Sequence, residues 1–158
     1  MNDKTLALLK NCTAIERECA ELYHWFSDLF RDDRRASTLW KKTALEEENH
    51  ESQFLLAEKL LEEMLVVPSR ERNSSGMELE RVRALRREFT VNPPDLVRAL
   101  EAAITLEEEL AGFHLEKVLV YSDEEHRKMF EAMMAHDREH AESLKKLLAE
   151  LTGIGSPG

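Results

Sequence analysis

The chain has little cysteine, no surplus of basic charge and no long apolar run, and each shortage removes a class of protein. Among its 158 residues are two cysteines, Cys12 and Cys19, and no Cys-x-x-Cys pair. A zinc ribbon or rubredoxin-type iron site is therefore excluded. On one continuous helix the two thiols would stand roughly 10 Å apart at ~1.5 Å rise per residue, beyond the ~7 Å between Cα atoms that a disulfide spans. Lys and Arg number 22 against 32 Asp and Glu, a formal charge of −10. The chain as a whole thus offers no nucleic-acid footprint, while an acidic surface favours solubility and helps to draw in cations. No apolar stretch nears the ~20 residues of a membrane span. Met1-Asn2-Asp3-Lys4 lacks the charged and then apolar pattern of a signal peptide. The expectation is a cytoplasmic chain with no membrane or nucleic-acid partner.

What is present is helical period. A first helix is expected from Asp3 to Phe30, with Leu6, Leu9, Thr13, Glu16, Ala20, Tyr23, Phe26 or Ser27, and Phe30 recurring at three- and four-residue steps. Arg31-Asp32-Asp33-Arg34-Arg35 reads as a solvated turn. A second helix follows from Ala36 to Val66, with Leu39, Trp40, Thr43, Glu47, His50, Phe54, Ala57 and Leu61 on one face and Pro68 as its stop. Ser74-Ser75-Gly76 signals a turn, and Ser75 with Glu78 offers a capping box for a short helix bearing Leu79, Val82, Leu85 and Phe89. The third long helix starts near Pro93-Pro94-Asp95 and is expected to reach Tyr121, with Leu96, Leu100, Ala103, Glu107, Leu110 or Ala111, His114 and Val118 inside. Ser122 with Glu125 offers a capping box for a fourth helix carrying Met129, Phe130, Met133, Asp137, His140, Leu144 and Leu147, ended by Gly153. The segment between the second and third long helices is too long for a tight turn. The expectation is an all-α four-helix bundle, one domain over 1–152, with one long crossover containing a short helix and a frayed tail at 153–158.

Acids and histidines interrupt the apolar stripes in a pattern that nearly repeats. Glu47-Glu48-Asn49-His50 is matched by Asp137-Arg138-Glu139-His140, and residues three apart lie on the same helix face. Glu16 precedes Glu47 by 31 residues and Glu107 precedes Asp137 by 30. The halves align at an offset of about 90 residues, Tyr23 falling on His114 and Trp40 on Phe130. Two helical hairpins related by a pseudo-two-fold would put the half-sites face to face at mid-bundle.

One Glu-x-x-His is a weak signal in a chain with 34% charged residues. The specific signal is the conjunction of two motifs, two partner carboxylates and similar spacing, all on inner faces. Four buried carboxylates without a cation would repel one another and lose hydration. Two divalent ions would bring the set to neutrality. Carboxylate-rich ligation with few imidazoles suits Fe²⁺ or Mn²⁺ better than a tetrahedral structural zinc.

These residues resemble the rubrerythrin family of ferritin-like di-iron carboxylate proteins. Glu16 to Tyr23 with Glu47-x-x-His50 looks like the first half of such a bundle, and Glu107 with Asp137-x-x-His140 like the second. The resemblance covers about residues 5 to 150. It implies a ferritin-like bundle with Glu16 and Glu107 as terminal ligands, Glu47 and Asp137 as bridges, and His50 and His140 each on one metal. It further implies two iron ions, with manganese the alternative, and a peroxidase or oxidase acting on hydrogen peroxide or dioxygen in oxidative stress. The family's C-terminal rubredoxin domain with its paired Cys-x-x-Cys motifs has no counterpart here, so an external donor such as a rubredoxin-like protein is implied. Leu110 stands where the family carries an extra glutamate, with Cys19 as its repeat mate, and Asp137 is one methylene shorter than the usual residue. Ferritin-like relatives often dimerise, so a homodimer is implied as well.

Around the ligand set, Tyr23 is expected to bond a ligand carboxylate, since a buried phenol needs a partner. His114 reads either as a second donor to a carboxylate or as a satisfied core histidine. Cys19 reads as a small buried apolar group near the ligands. His24, His126, Glu46, Glu48, Glu108 and Glu109 are expected at the surface. Arg81, Arg83, Arg86 and Arg87 read as solvated side chains or as a docking patch for an acidic partner. Two other functions stay open: ferroxidase or iron handling, which usually needs a multimeric shell, and a metal-free structural or interaction bundle.

Overall fold

The computed structural model describes residues 3–66, 74–134 and 140–153. They form the helices α1 (Asp3–Leu29), α2 (Arg34–Met64), α3 (Ser75–Val91), α4 (Leu96–Leu110), α5 (Leu115–Val118), α6 (Glu124–Met134) and α7 (His140–Thr152). A 3₁₀ turn at Ala111–Phe113 and the two-residue strands β1 (Leu65–Val66) and β2 (Val120–Tyr121) complete the set. The chain is almost entirely helical.

α1 and α2 pack along one another as a long hairpin. Its corner is closed by side chains that satisfy the end groups left open by a helix. Asp33 Oδ1 accepts from the Ala36 amide at 3.0 Å and so starts α2. Ser27 Oγ donates to the Ser37 carbonyl and Ser37 Oγ to the Ser27 carbonyl, each at 2.9 Å. α3 lies on α1, α4 packs against α7, and α5, α6 and α7 touch α2. The core they enclose is led by Leu8, Ile15, Phe26, Trp40, Phe54 and Leu100, all almost fully buried. Phe26 is its aromatic hub, with ring centres 4.7 Å from Trp40 and 5.8 Å from Phe89.

The expected helix through Tyr121 is corrected. α4 stops at Leu110, the chain tightens into the 3₁₀ turn, and the backbone leaves helical geometry at His114 (φ −65°, ψ 147°). Leu119-Val120-Tyr121 then runs extended, as its β-branched and aromatic side chains favour. β2 pairs antiparallel with β1, Leu65 opposite Tyr121 and Val66 opposite Val120. Phe113, Leu115, Val118 and Leu119 stay buried through the break, so the inner face is kept while the helix is not. α2 accordingly ends in β1; Pro68, its expected stop, lies outside the described residues. Whether α6 and α7 join into the single expected fourth helix rests on 135–139, also outside them.

The caps differ too. Ser75 makes no capping box: Ser74 holds the N-cap position of α3 without a side-chain bond. The Ser75 hydroxyl instead accepts from Asn11 Nδ2 at 3.0 Å. At α6 the cap is Asp123, not Ser122, with its carboxylate accepting from the amides of Glu125 (2.7 Å) and His126 (3.2 Å). Asp95 caps α4 through the Arg98 amide at 2.8 Å, with the two prolines preceding it. Gly153 follows α7 in the left-handed region at φ 69°, where glycine carries no Cβ penalty.

Candidate metal centre

Three of the expected ligands meet in the core. α1 turns Glu16 inward between Thr13 and Ala20, and α2 turns Glu47 and His50 inward one turn apart. All three are nearly dry, at 5%, 2% and 5% exposure. His50 Nδ1 lies 3.2 Å from Glu47 Oε2 and 3.5 Å from Glu16 Oε2. One ligand atom from each of the three fits within 4.8 Å of the others. Among the described residues no fourth acid, histidine or cysteine joins that group.

The electrostatics of the triad are unbalanced. Burial, and next the Glu16 charge, push the Glu47 carboxyl up to about 7, against the opposing pull of His50. Its Oε1 is buried with no hydrogen-bond partner among the described residues. An uncompensated buried carboxylate costs several kcal/mol, whereas a hydrogen bond involving a charged group returns about 1.5–3. A single imidazole is shared between two buried carboxylates, and a proton on Glu47 or a divalent cation would relieve the imbalance. Two carboxylates and an imidazole converging on one point form a donor set that fits a divalent ion such as Fe²⁺ or Mn²⁺.

Glu107 on α4 is also buried but stands outside the triad. Its Oε1 accepts from the Tyr23 hydroxyl at 2.6 Å. Burial, with Glu107 next in weight, pushes that phenol well above its ordinary range. Cys19 is a free, buried thiol, pushed up by burial first and then by Glu47, Glu107 and Glu16. Tyr23 and Cys19 thus sit where the acids from α1, α2 and α4 converge. Asp137 lies outside the described residues. His140 opens α7, and its side chain lies outside them as well.

His114 is carried in by the helix break. Its ring centre is 5.6 Å from that of His50. It shares with Glu16, His50, Gln53, Phe54, Leu115 and Met134 a cavity of about 20 Å³, room for one water-sized occupant. Gln53 is buried and its Nε2 donates to the Met133 carbonyl at 3.4 Å. Gln53 and Phe54 share α2 with Glu47 and His50. Gln53, three residues beyond His50, was legible by the same spacing; Leu115 and Met134 carry no such signal.

The surface expectations are refined. His24 and Glu48 pair at 2.6 Å on the outside of the α1–α2 hairpin. Arg81 bonds Glu78 and Glu109, Arg83 bonds Glu18 and Glu80, and Arg86 bonds Glu18 and Glu21. Three of the four arginines are therefore neither free nor a bare patch; they tie α3 to α1 and α4. Met133 and Met134 pack on the core, while Met129 is exposed. No described helix is long and apolar enough to cross a membrane. Comparison with family models, curated proteins and solved structures finds no match to this chain.

Proposed function

We propose that this chain is a ferritin-like metalloprotein of rubrerythrin type. It reduces hydrogen peroxide, or dioxygen, at a carboxylate-rich iron centre with electrons from an external donor. The observation that carries the reading is the buried Glu16–Glu47–His50 triad with its unpartnered Glu47 oxygen. Glu16, Glu47 and His50 would hold one ion, and Glu107, Asp137 and His140 would complete a dinuclear centre. Two iron ions, or manganese, bound there supply the two electrons that turn hydrogen peroxide and two protons into two waters.

The chain's own residues set the conditions. The carboxylates neutralise the cations in a site too dry to screen them otherwise. Tyr23 fixes the orientation of Glu107 through its hydroxyl, as outer partners do for ligating groups. Phe54 and Leu115 wall the small cavity beside His50 against bulk water.

The test is metal content after anaerobic loading with Fe²⁺, beside a Glu16→Ala/His50→Ala double variant. Near two irons per chain, lost in the variant, supports the dinuclear centre and makes peroxide-driven oxidation the next assay. One iron per chain retains the triad and removes the second position. Absence of stoichiometric metal sinks the reading and leaves a metal-free bundle. A native mass near that of a dimer, as against a multimeric shell, favours the redox enzyme over iron storage.

A further inference from the structure

We propose that His114 is a fourth protein ligand to the ion held by Glu16, Glu47 and His50. The proposal rests on the metal reading above and adds a second nitrogen donor from the other half of the chain.

The geometry points to it in three ways. First, His114 reaches the cavity that Glu16 and His50 also line, a space of about 20 Å³. Second, two imidazoles on neighbouring positions of one ion, each with a metal–nitrogen bond of ~2.1 Å, hold their ring centres roughly 5 Å apart. The rings of His50 and His114 stand 5.6 Å apart and tilted by 47°; no His114 nitrogen falls within the 4.8 Å group of Glu16, Glu47 and His50, so ligation requires its side chain to move inward. Third, the backbone leaves the helix at this residue, with φ −65° and ψ 147°. Extended backbone frees its Cβ from the direction a continuing helix would impose.

The chemistry agrees. Two carboxylates and two neutral imidazoles around a divalent ion sum to zero charge, as a buried site requires. A second imidazole also shifts the donor set toward later divalent metals without excluding Fe²⁺ or Mn²⁺. Ring packing alone would put His114 in the same place, so the test must count coordinated nitrogens.

Pulsed EPR on the first equivalent of Cu²⁺ counts bound imidazoles through their remote nitrogens. In a His140→Ala background, which removes the second motif, the expected count is two. It falls to one when His114→Gln is added, and the affinity for the first equivalent of Mn²⁺ falls at least tenfold. Glutamine keeps a polar side chain of similar bulk, and far-UV circular dichroism checks the fold. An independent arm uses His50→Ala/His140→Ala, in which one bound imidazole remains if His114 is a ligand. One imidazole in the first protein, none in the second and unchanged Mn²⁺ affinity in His114→Gln overturn the proposal while leaving the metal reading intact. Metal binding indifferent to Glu47→Ala, or none at all, overturns both.

Discussion

The Tyr23 hydroxyl on α1 donates to the Glu107 carboxylate on α4 across 2.6 Å, at the depth of the core. Residues 84 positions apart thereby join the two halves of the chain beside the acid cluster. Replacing Tyr23 by Phe removes one donor to a buried carboxylate. The expected loss is about 1–3 kcal/mol in the metal-free protein, read from urea unfolding. A wild-type midpoint in Tyr23→Phe would show that Glu107 finds water or another donor.

Glu47 makes the metal-free protein sensitive to pH. Its folded carboxyl is pushed up to about 7 from an ordinary 4.5, so the folded state favours the protonated form. That contribution to stability is complete below about 4.5 and is lost as pH rises through about 7. It amounts to roughly 3 kcal/mol at one full proton. Glu47→Gln should remove this slope, so the difference between variant and wild type grows from pH 5 to pH 8. Parallel pH curves for the two proteins in urea would contradict the assignment.

A metal ion at the triad should cancel that slope. An ion at the triad displaces the Glu47 proton, so it binds more tightly at pH 7.5 than at pH 5.5. At a free Mn²⁺ concentration a hundred times the dissociation constant, the stabilisation is about 2.7 kcal/mol. Thermal melts with and without Mn²⁺ should separate in the wild type and separate by clearly less in Glu16→Ala. Equal shifts in both would place the bound metal elsewhere.

Trp40 packs on Phe26 and Tyr23, and its indole N–H is buried without an acceptor among the described residues. Trp40→Phe keeps most of the ring contact and removes the unsatisfied donor, so its cost should be small. Trp40→Ala should cost about 3–5 kcal/mol through the cavity it leaves. Similar losses in the two variants would mean that the indole nitrogen is satisfied in solution.

The triad was legible because three- and four-residue spacing is a property of the helix itself: Glu16, Glu47 and His50 each interrupt an apolar stripe. The break after Leu110 was not. Leu110, His114 and Val118 keep the four-residue step across it, and the inner face is preserved while the backbone changes. The break has a local mark in Gly112, within the 3₁₀ turn, where glycine weakens a helix, and a distant one in the pairing of Val120 and Tyr121 with a segment far away in sequence. The caps failed for a local reason. Ser74 and Ser75, or Ser122 and Asp123, offer adjacent oxygens, and only backbone geometry and neighbours such as Asn11 choose between them. Charge pattern likewise revealed four arginines but not the acids on α1 and α4 that meet three of them.

The short β1–β2 ladder has a consequence beyond its size. Among the described residues, it supplies the peptide-to-peptide bonds that join the first hairpin to the later helices. Elsewhere among the described residues those parts meet through side chains, which can slide or repack without any backbone bond giving way. Its amide protons are therefore the natural reporters of whether the halves separate. If those amides exchange with solvent as slowly as the core of α1, the bundle opens only by unfolding as a whole. If they exchange faster, it has a clasp that releases on its own.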